Sequence, residues 1–353
     1  NEENKGNVSK SELNLTSDTE LAAEVQFQLN RLPLCEMHEA LDMLPNLDIV
    51  FPCIASADSP IPWNPFKDFD KKNKQWNGNL DTRLNLKQKE AIVAITTDIK
   101  RHLPPTLIVG PYGTGKTFTL AHAAKCLLED QSTRVLICTH SNSAADLYVK
   151  DYLDPFVKEG HPDVKPLRVY YRHRWVQTVN PTVLEYCLVS YEGAVGSMFR
   201  KPTKEDIESH RVIVCTLSTS RYLFSLGLDE GFFTHILLDE AAQAQECETV
   251  MPLVLAGQQT RVVLAGDHMQ LGPEIHSDFA RERNMHISFL ERLYDHYPTN
   301  HSCKILLCEN YRSHVAIINY TSELFYNKKL VASGKLPRHD IVYPLSFFTA
   351  RGE

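Results

Sequence analysis

The run "LIVGPYGTGKTFTLAHAAKCLL", residues 107–128, passes from apolar residues through three glycines, at 110, 113 and 115, into a helical period. Gly110, Pro111, Tyr112, Gly113, Thr114, Gly115, Lys116 and Thr117 satisfy GxxxxGK[ST], after an expected strand and before an expected helix, the context that pattern requires. Glycine lets the chain turn so that successive N–H groups face inward, and the helix that follows adds its positive end. The loop is therefore expected to cradle the phosphates of a nucleotide. Lys116 would reach the outer phosphates, and the Thr117 hydroxyl would ligate Mg2+.

Downstream, "HILLDEAAQA" (235–244) ends an apolar run in Asp239 and Glu240, where adjacent carboxylates serve no packing purpose. Beside a phosphate loop, the first acid is expected to hold Mg2+ and the second to polarise the attacking water. "RVVLAGDHMQLGP" (261–273) and "LLCENYRSH" (306–314) repeat the pattern of an apolar run closing on polar groups. Gln270 could bond both a water and a γ-phosphate, or lie in a surface turn. Arg312 carries a planar donor fork suited to phosphate, or pairs with a neighbour such as Glu309.

Working outward, "TLIVG", "RVLICT", "LRVYY", "RVIVCT", "HILLDE" and "RVVLAGD" are short apolar runs separated by segments with helical period. Such runs predict strands buried on both faces, hence an α/β fold with a mainly parallel sheet flanked by helices. Residues 175–207 show weaker periodicity and predict a loop with short helices. "KILLCEN" (304–310) predicts a further strand, followed by the helical "SHVAIINYTSELFY".

The organisation expected is a flexible lead-in over 1–20, a helical and linker segment over 21–83 with its helices broken near Pro33, and a compact domain over 84–300. The chain is 353 residues and begins with Asn, which suggests a piece of a longer protein. Net charge is −7, but residues 1–60 hold 3 Lys/Arg against 11 Asp/Glu, so the remainder is nearly neutral and bulk charge gives nucleic-acid binding no support. Nine scattered cysteines with no CxxC pair point to a reducing compartment, with neither disulfides nor zinc expected. No apolar run is long enough for a bilayer, so no membrane partner is expected.

The ordered set "LNLKQKEAI", "GPYGTGKT", "CTHSNSAADL", "VCTLSTS", "LLDEAAQA", "GDHMQLGP" and "NYRSH" resembles the superfamily 1B helicases, in the group that includes the nonsense-mediated-decay helicase. The wording around the motifs is similar to the zinc-finger-bearing members. The resemblance implies a RecA-like P-loop NTPase with ATP as substrate and Mg2+ as cofactor, and residues 301–353 as the start of a truncated second RecA-like domain. It implies that Gln88 reads the adenine edge, Gln270 senses the γ-phosphate, and Tyr311 and Arg312 contact the base and γ-phosphate. It places Ser141, Asn142 and Thr216 on motifs that touch the nucleic-acid backbone, although Ser141 or Asn142 could equally cap a helix. Further motifs of the family are missing from the chain, so the piece alone is expected to bind nucleotide weakly and to unwind little or nothing. The implied activity is RNA translocation and duplex or ribonucleoprotein remodelling. Single-stranded RNA is the implied partner, with DNA open. A nucleotide-gated scaffold or coactivator with protein partners is the rival, and the implied location is cytoplasmic, with a nuclear one open.

Overall fold

The structure, a computed structural model, describes residues 30–54, 82–192 and 196–334. The lead-in 1–20, most of the linker and "YPLSFFTARGE" lie outside the described residues. Strands are β1 (Thr106–Val109), β2 (Val135–Thr139), β3 (Pro166–Arg168), β4 (Val189–Glu192), β5 (Gly196–Phe199), β6 (Val212–Thr216), β7 (His235–Asp239), β8 (Arg261–Gly266), β9 (Lys304–Leu306), β10 (Glu309–Asn310) and β11 (Val331–Ala332).

All seven apolar runs enter one sheet of order β3-β6-β2-β7-β8-β1-β9, with every pairing parallel. Alternating side chains divide between two cores. Ile108, Ile137, Leu237 and Val263 meet the helices Leu86–Thr96 and Lys116–Leu128 on one face. Leu107, Leu136, Leu238 and Leu264 meet the helix Phe289–His296 on the other. A sheet covered on both faces explains the unbroken apolar runs, and it leaves strand ends as the place for polar chemistry. The fold is RecA-like α/β.

Three features differ from the pattern expected. Helix Leu32–Asp42 starts one residue before Pro33 and is not broken by it, because a proline in the first turn removes an N–H that has no intrahelical partner. Residues 175–207 hold the antiparallel hairpin β4–β5 as well as short helical turns. Strand β9, assigned from sequence to a second domain beginning at 301, instead pairs with β1 at the sheet edge, with Ile305 opposite Ile108. The described residues from 36 onward form one compact unit.

His235 opens β7 almost fully buried, with Nδ1 against Thr234 Oγ1 at 2.9 Å. Burial, reinforced by the nearby Arg261 charge, holds its pKa down from 6.5 to about 4. The unfolded chain therefore takes up the proton first as pH falls. Stability from neutral His235 should be fully present above about pH 6.5 and lost progressively toward pH 4, a change of about 3 kcal/mol. Urea denaturation across that window should show His235→Gln with a shallower pH slope than the parent chain.

Candidate nucleotide site

The phosphate loop leaves β1 and enters the helix Lys116–Leu128. Gly113 and Gly115 have φ of 73° and 81°, a region that L side chains rarely adopt. A Cβ at Gly113 would stand 2.6 Å from Arg312 Cβ, and one at Gly115 2.6 Å from Gln88 Nε2. Both positions thus require glycine for conformation and for room. Thr114 Oγ1 donates to the Pro111 carbonyl at 2.7 Å, tightening the turn.

Lys116 Nζ donates to the Gly110 carbonyl at 2.6 Å and to that of Pro111 at 3.3 Å. Burial holds its pKa below the ordinary lysine value, opposed by the Asp239 and Asp267 carboxylates. A desolvated ammonium aimed along the loop is suited to an anion brought into the same space.

Asp239 closes β7, two strands from β1 with β8 between them. Its Oδ2 accepts the Thr117 hydroxyl at 2.7 Å and the Tyr148 hydroxyl at 2.7 Å, while Oδ1 accepts the Glu240 N–H at 2.9 Å. Mg2+ takes hard oxygens and is commonly held by one or two carboxylates together with substrate phosphates and water. The Thr117 hydroxyl and Asp239 carboxylate fit that demand. Among the described residues no cluster of three or more His, Cys, Asp or Glu could hold a metal alone, so phosphates would supply further ligands.

Glu240 has φ of 57°, an uncommon backbone for a non-glycine residue. Glu240 directly follows the last residue of β7. Its Oε2 accepts the Ser141 hydroxyl at 3.0 Å. Gln270 donates through Nε2 to Asp267 Oδ2 at 2.5 Å, and Tyr326 OH donates to the same oxygen at 2.7 Å.

The segment after β9 folds over the loop. Tyr311 N–H donates to the Gly113 carbonyl at 2.9 Å, and Asn310 Nδ2 to that of Tyr112 at 2.5 Å. Asn310 Oδ1 accepts the Arg312 and Ser313 N–H groups at 3.0 and 2.9 Å. The Tyr311 hydroxyl accepts from Asn85 Nδ2 at 2.8 Å and donates to Glu309 at 3.0 Å. Gln88 is buried beneath, with Oε1 accepting the Asn85 N–H at 2.9 Å and Nε2 donating to the Thr114 carbonyl at 3.0 Å. Gln88, Tyr112, Gly113, Gly115, Lys116, Thr117, Asp239, Glu240, Gln270, Tyr311 and Arg312 all face one cavity of about 560 Å³, a volume within the usual range for a small-molecule site.

The three residues expected to touch nucleic acid do not line that cavity; they lie at the ends of β2 and β6, with Ser141 joined to it through Glu240. Ser141 caps the helix Asn142–Leu147, accepting the Ala144 N–H at 3.2 Å. Asn142 Oδ1 accepts Arg168 Nη2 at 2.7 Å. Thr216 is buried, with its hydroxyl 2.7 Å from that of Thr219.

Sequence reasoning missed Tyr148, Asn310, Asp267 and Tyr326. Asp267 directly follows β8, much as Asp239 closes β7, a signal that was readable. Tyr148 had none, since a tyrosine with helical spacing looks like core. It begins a π-helical segment, Tyr148–Leu153, which turns its hydroxyl to a residue 91 positions away. Burial and the adjacent Asp239 charge hold the phenol above its ordinary pKa, so it acts as a neutral donor.

A parallel α/β sheet with a phosphate loop after one strand and a carboxylate pair after a nearby one defines a P-loop NTPase domain. The AAA_11 family, described as "AAA domain", matches residues 83–194 and 194–278, and the chain belongs to that family. It is 64% identical over 342 residues to human "Probable helicase with zinc finger domain", covering 97% of this chain and 17% of the relative. It is 41% identical over 340 residues to mouse "3'-5' exoribonuclease HELZ2", covering 93% of this chain and 11% of the relative. It is 30% identical over 342 residues to Drosophila melanogaster "Probable RNA helicase armi", covering 87% of this chain and 28% of the relative. The chain thus spans less than a third of the length of each of these relatives.

Tyr148→Phe removes one of two hydroxyls that stabilise a buried carboxylate oxygen. A hydrogen bond to a charged acceptor contributes about 1.5–3 kcal/mol, so the variant should lose about 2 kcal/mol of stability in urea denaturation at neutral pH.

Proposed function

We propose that the protein hydrolyses ATP and uses the cycle to move along single-stranded RNA, separating paired strands or displacing bound protein. The observation that carries the reading is the 2.7 Å bond from Thr117 Oγ1 to Asp239, which joins phosphate loop and acidic strand end across one cavity. The amides from Gly110 to Thr117 would surround the phosphates, with Lys116 turning from the loop carbonyls to the outer ones. Thr117 and Asp239 would hold Mg2+, which when bound neutralises phosphate charge. Glu240 would align and deprotonate the attacking water, Gln270 would register the γ-phosphate, and Arg312 would meet charge that builds during transfer.

Gln88 and Tyr311, which line the same cavity as Asp239, would bind the base. Ser141, Asn142 and Thr216 would bring the nucleic-acid backbone to the ends of β2 and β6. RNA is favoured by the name of the Drosophila relative, and a cytoplasmic setting, with a nuclear one open, is what the resemblance to the helicase family implies. Closure over ATP and reopening after hydrolysis would shift the grip in steps.

In the longer protein, ATP turnover should rise when poly(U) is added, more than with poly(dT) at the same salt. Lys116→Ala should lower that turnover at least about a hundredfold, the scale of removing a preorganised donor, while leaving the melting temperature nearly unchanged. Unaltered turnover in Lys116→Ala would refute the assignment of the phosphate loop.

A further inference from the structure

We propose that the segment 171–175, "YRHRW", with Lys201 and Tyr222 beside it, forms a stacking and phosphate-binding surface for single-stranded nucleic acid. This rests on the nucleic-acid reading above, and it adds residues outside the motifs that suggested that reading.

The composition is local. Residues 164–184 contain no Asp or Glu but hold Lys165, Arg168, Arg172 and Arg174, in a chain of net charge −7. Of the rings in this stretch Tyr171 and Trp175 are exposed, with Arg172 and Arg174 between them in sequence, whereas Tyr170 and Arg168 are buried. Interleaved rings and cations are what an unstacked strand needs: a π-face for each base and a counter-charge for each phosphate.

Placement puts the segment on the right edge. Strand β3 pairs with β6, and β6 with β2. The register Arg168↔Val214 sets Tyr170 level with Thr216, so the chain leaving β3 emerges beside the ends that carry Thr216 and Ser141. At about 4.8 Å per neighbouring strand, the three ends lie within about 10 Å. None of Tyr171, Arg172, Arg174 or Trp175 faces the nucleotide cavity.

Rigidity and exposure are separated along the segment. Arg168 is fully buried, bonded to Asp146 at 2.9 Å, with its guanidinium 3.8 Å from the Tyr170 ring centroid. That anchor fixes the start of the loop. One residue on, Tyr171 is 54% exposed, and Trp175 is 62% exposed. The Arg172 N–H donates to Tyr222 OH at 3.4 Å, tying the loop to the turn that follows Thr216. Lys201 Nζ lies 4.9 Å above the Tyr222 ring. Arg221 on the same turn is engaged by Glu36 and Glu39 at 3.1 and 3.4 Å.

The test measures binding of a fluorescent oligouridylate to the full chain by anisotropy across a salt series. Base stacking on an aromatic residue is worth about 1–3 kcal/mol, so Tyr171→Ala and Trp175→Ala should each weaken binding about tenfold. Trp175→Phe should retain most of the affinity. Lys201→Gln should lower the slope of log affinity against log salt by about 0.7, one phosphate contact. ATP affinity and melting temperature should stay at parental values in all four. If the parent chain binds and all variants match it in affinity and salt slope, this surface is wrong while the nucleic-acid reading stands. If the parent chain does not bind oligouridylate, that reading fails and this surface with it. If the variants lose only binding to polyglutamate, the surface serves an acidic protein and the proposal is overturned.

Discussion

One carboxylate oxygen, Asp239 Oδ2, receives two hydroxyls at 2.7 Å, from Thr117 and from Tyr148. Three segments distant in sequence are fixed by that convergence: the start of the helix after the phosphate loop, the end of β7, and the π-helical stretch beside them. Asp239 is only 1% exposed, and a charge so placed is tolerable only where donors replace water. The site is therefore held by the same contacts that make the buried acid affordable, and its geometry cannot loosen at one member without exposing the others.

A second layer works on the loop from outside. Gln88 holds the Thr114 carbonyl, Asn310 that of Tyr112, and the Tyr311 N–H that of Gly113. Carbonyls drawn outward leave amides pointing inward, which is the arrangement an anion requires. Lys116, resting on two remaining carbonyls, completes a loop whose acceptors are occupied.

Much of this was legible in sequence because its causes are local. The glycine spacing at 110, 113 and 115 follows from backbone freedom, and the seven apolar runs follow from burial on both faces of a sheet. The carboxylates after β7 stood out because a strand end has no apolar duty. What stayed hidden depends on distant partners. Tyr148 and Asn310 act through residues 91 and 198 positions away, and nothing in their neighbourhoods signals it. Strand β9 read as part of a second domain because pairing with β1 leaves no mark in its own three residues. Ser141, Asn142 and Thr216 follow or close β2 and β6 with polar atoms paired inside the protein, contacts that the motifs do not signal.

The π-wound stretch Tyr148–Leu153 lies between the α-helical Asn142–Leu147 and Asp154–Lys158. Each α-helical residue advances the azimuth by about 100°, so losing a single residue there would swing everything downstream through roughly that angle. Asp154, which receives the Tyr186 hydroxyl at 2.8 Å, would then point elsewhere. Length in this stretch is consequently as constrained as chemistry: it behaves like a phased spacer, in which a one-residue deletion does more harm than most replacements.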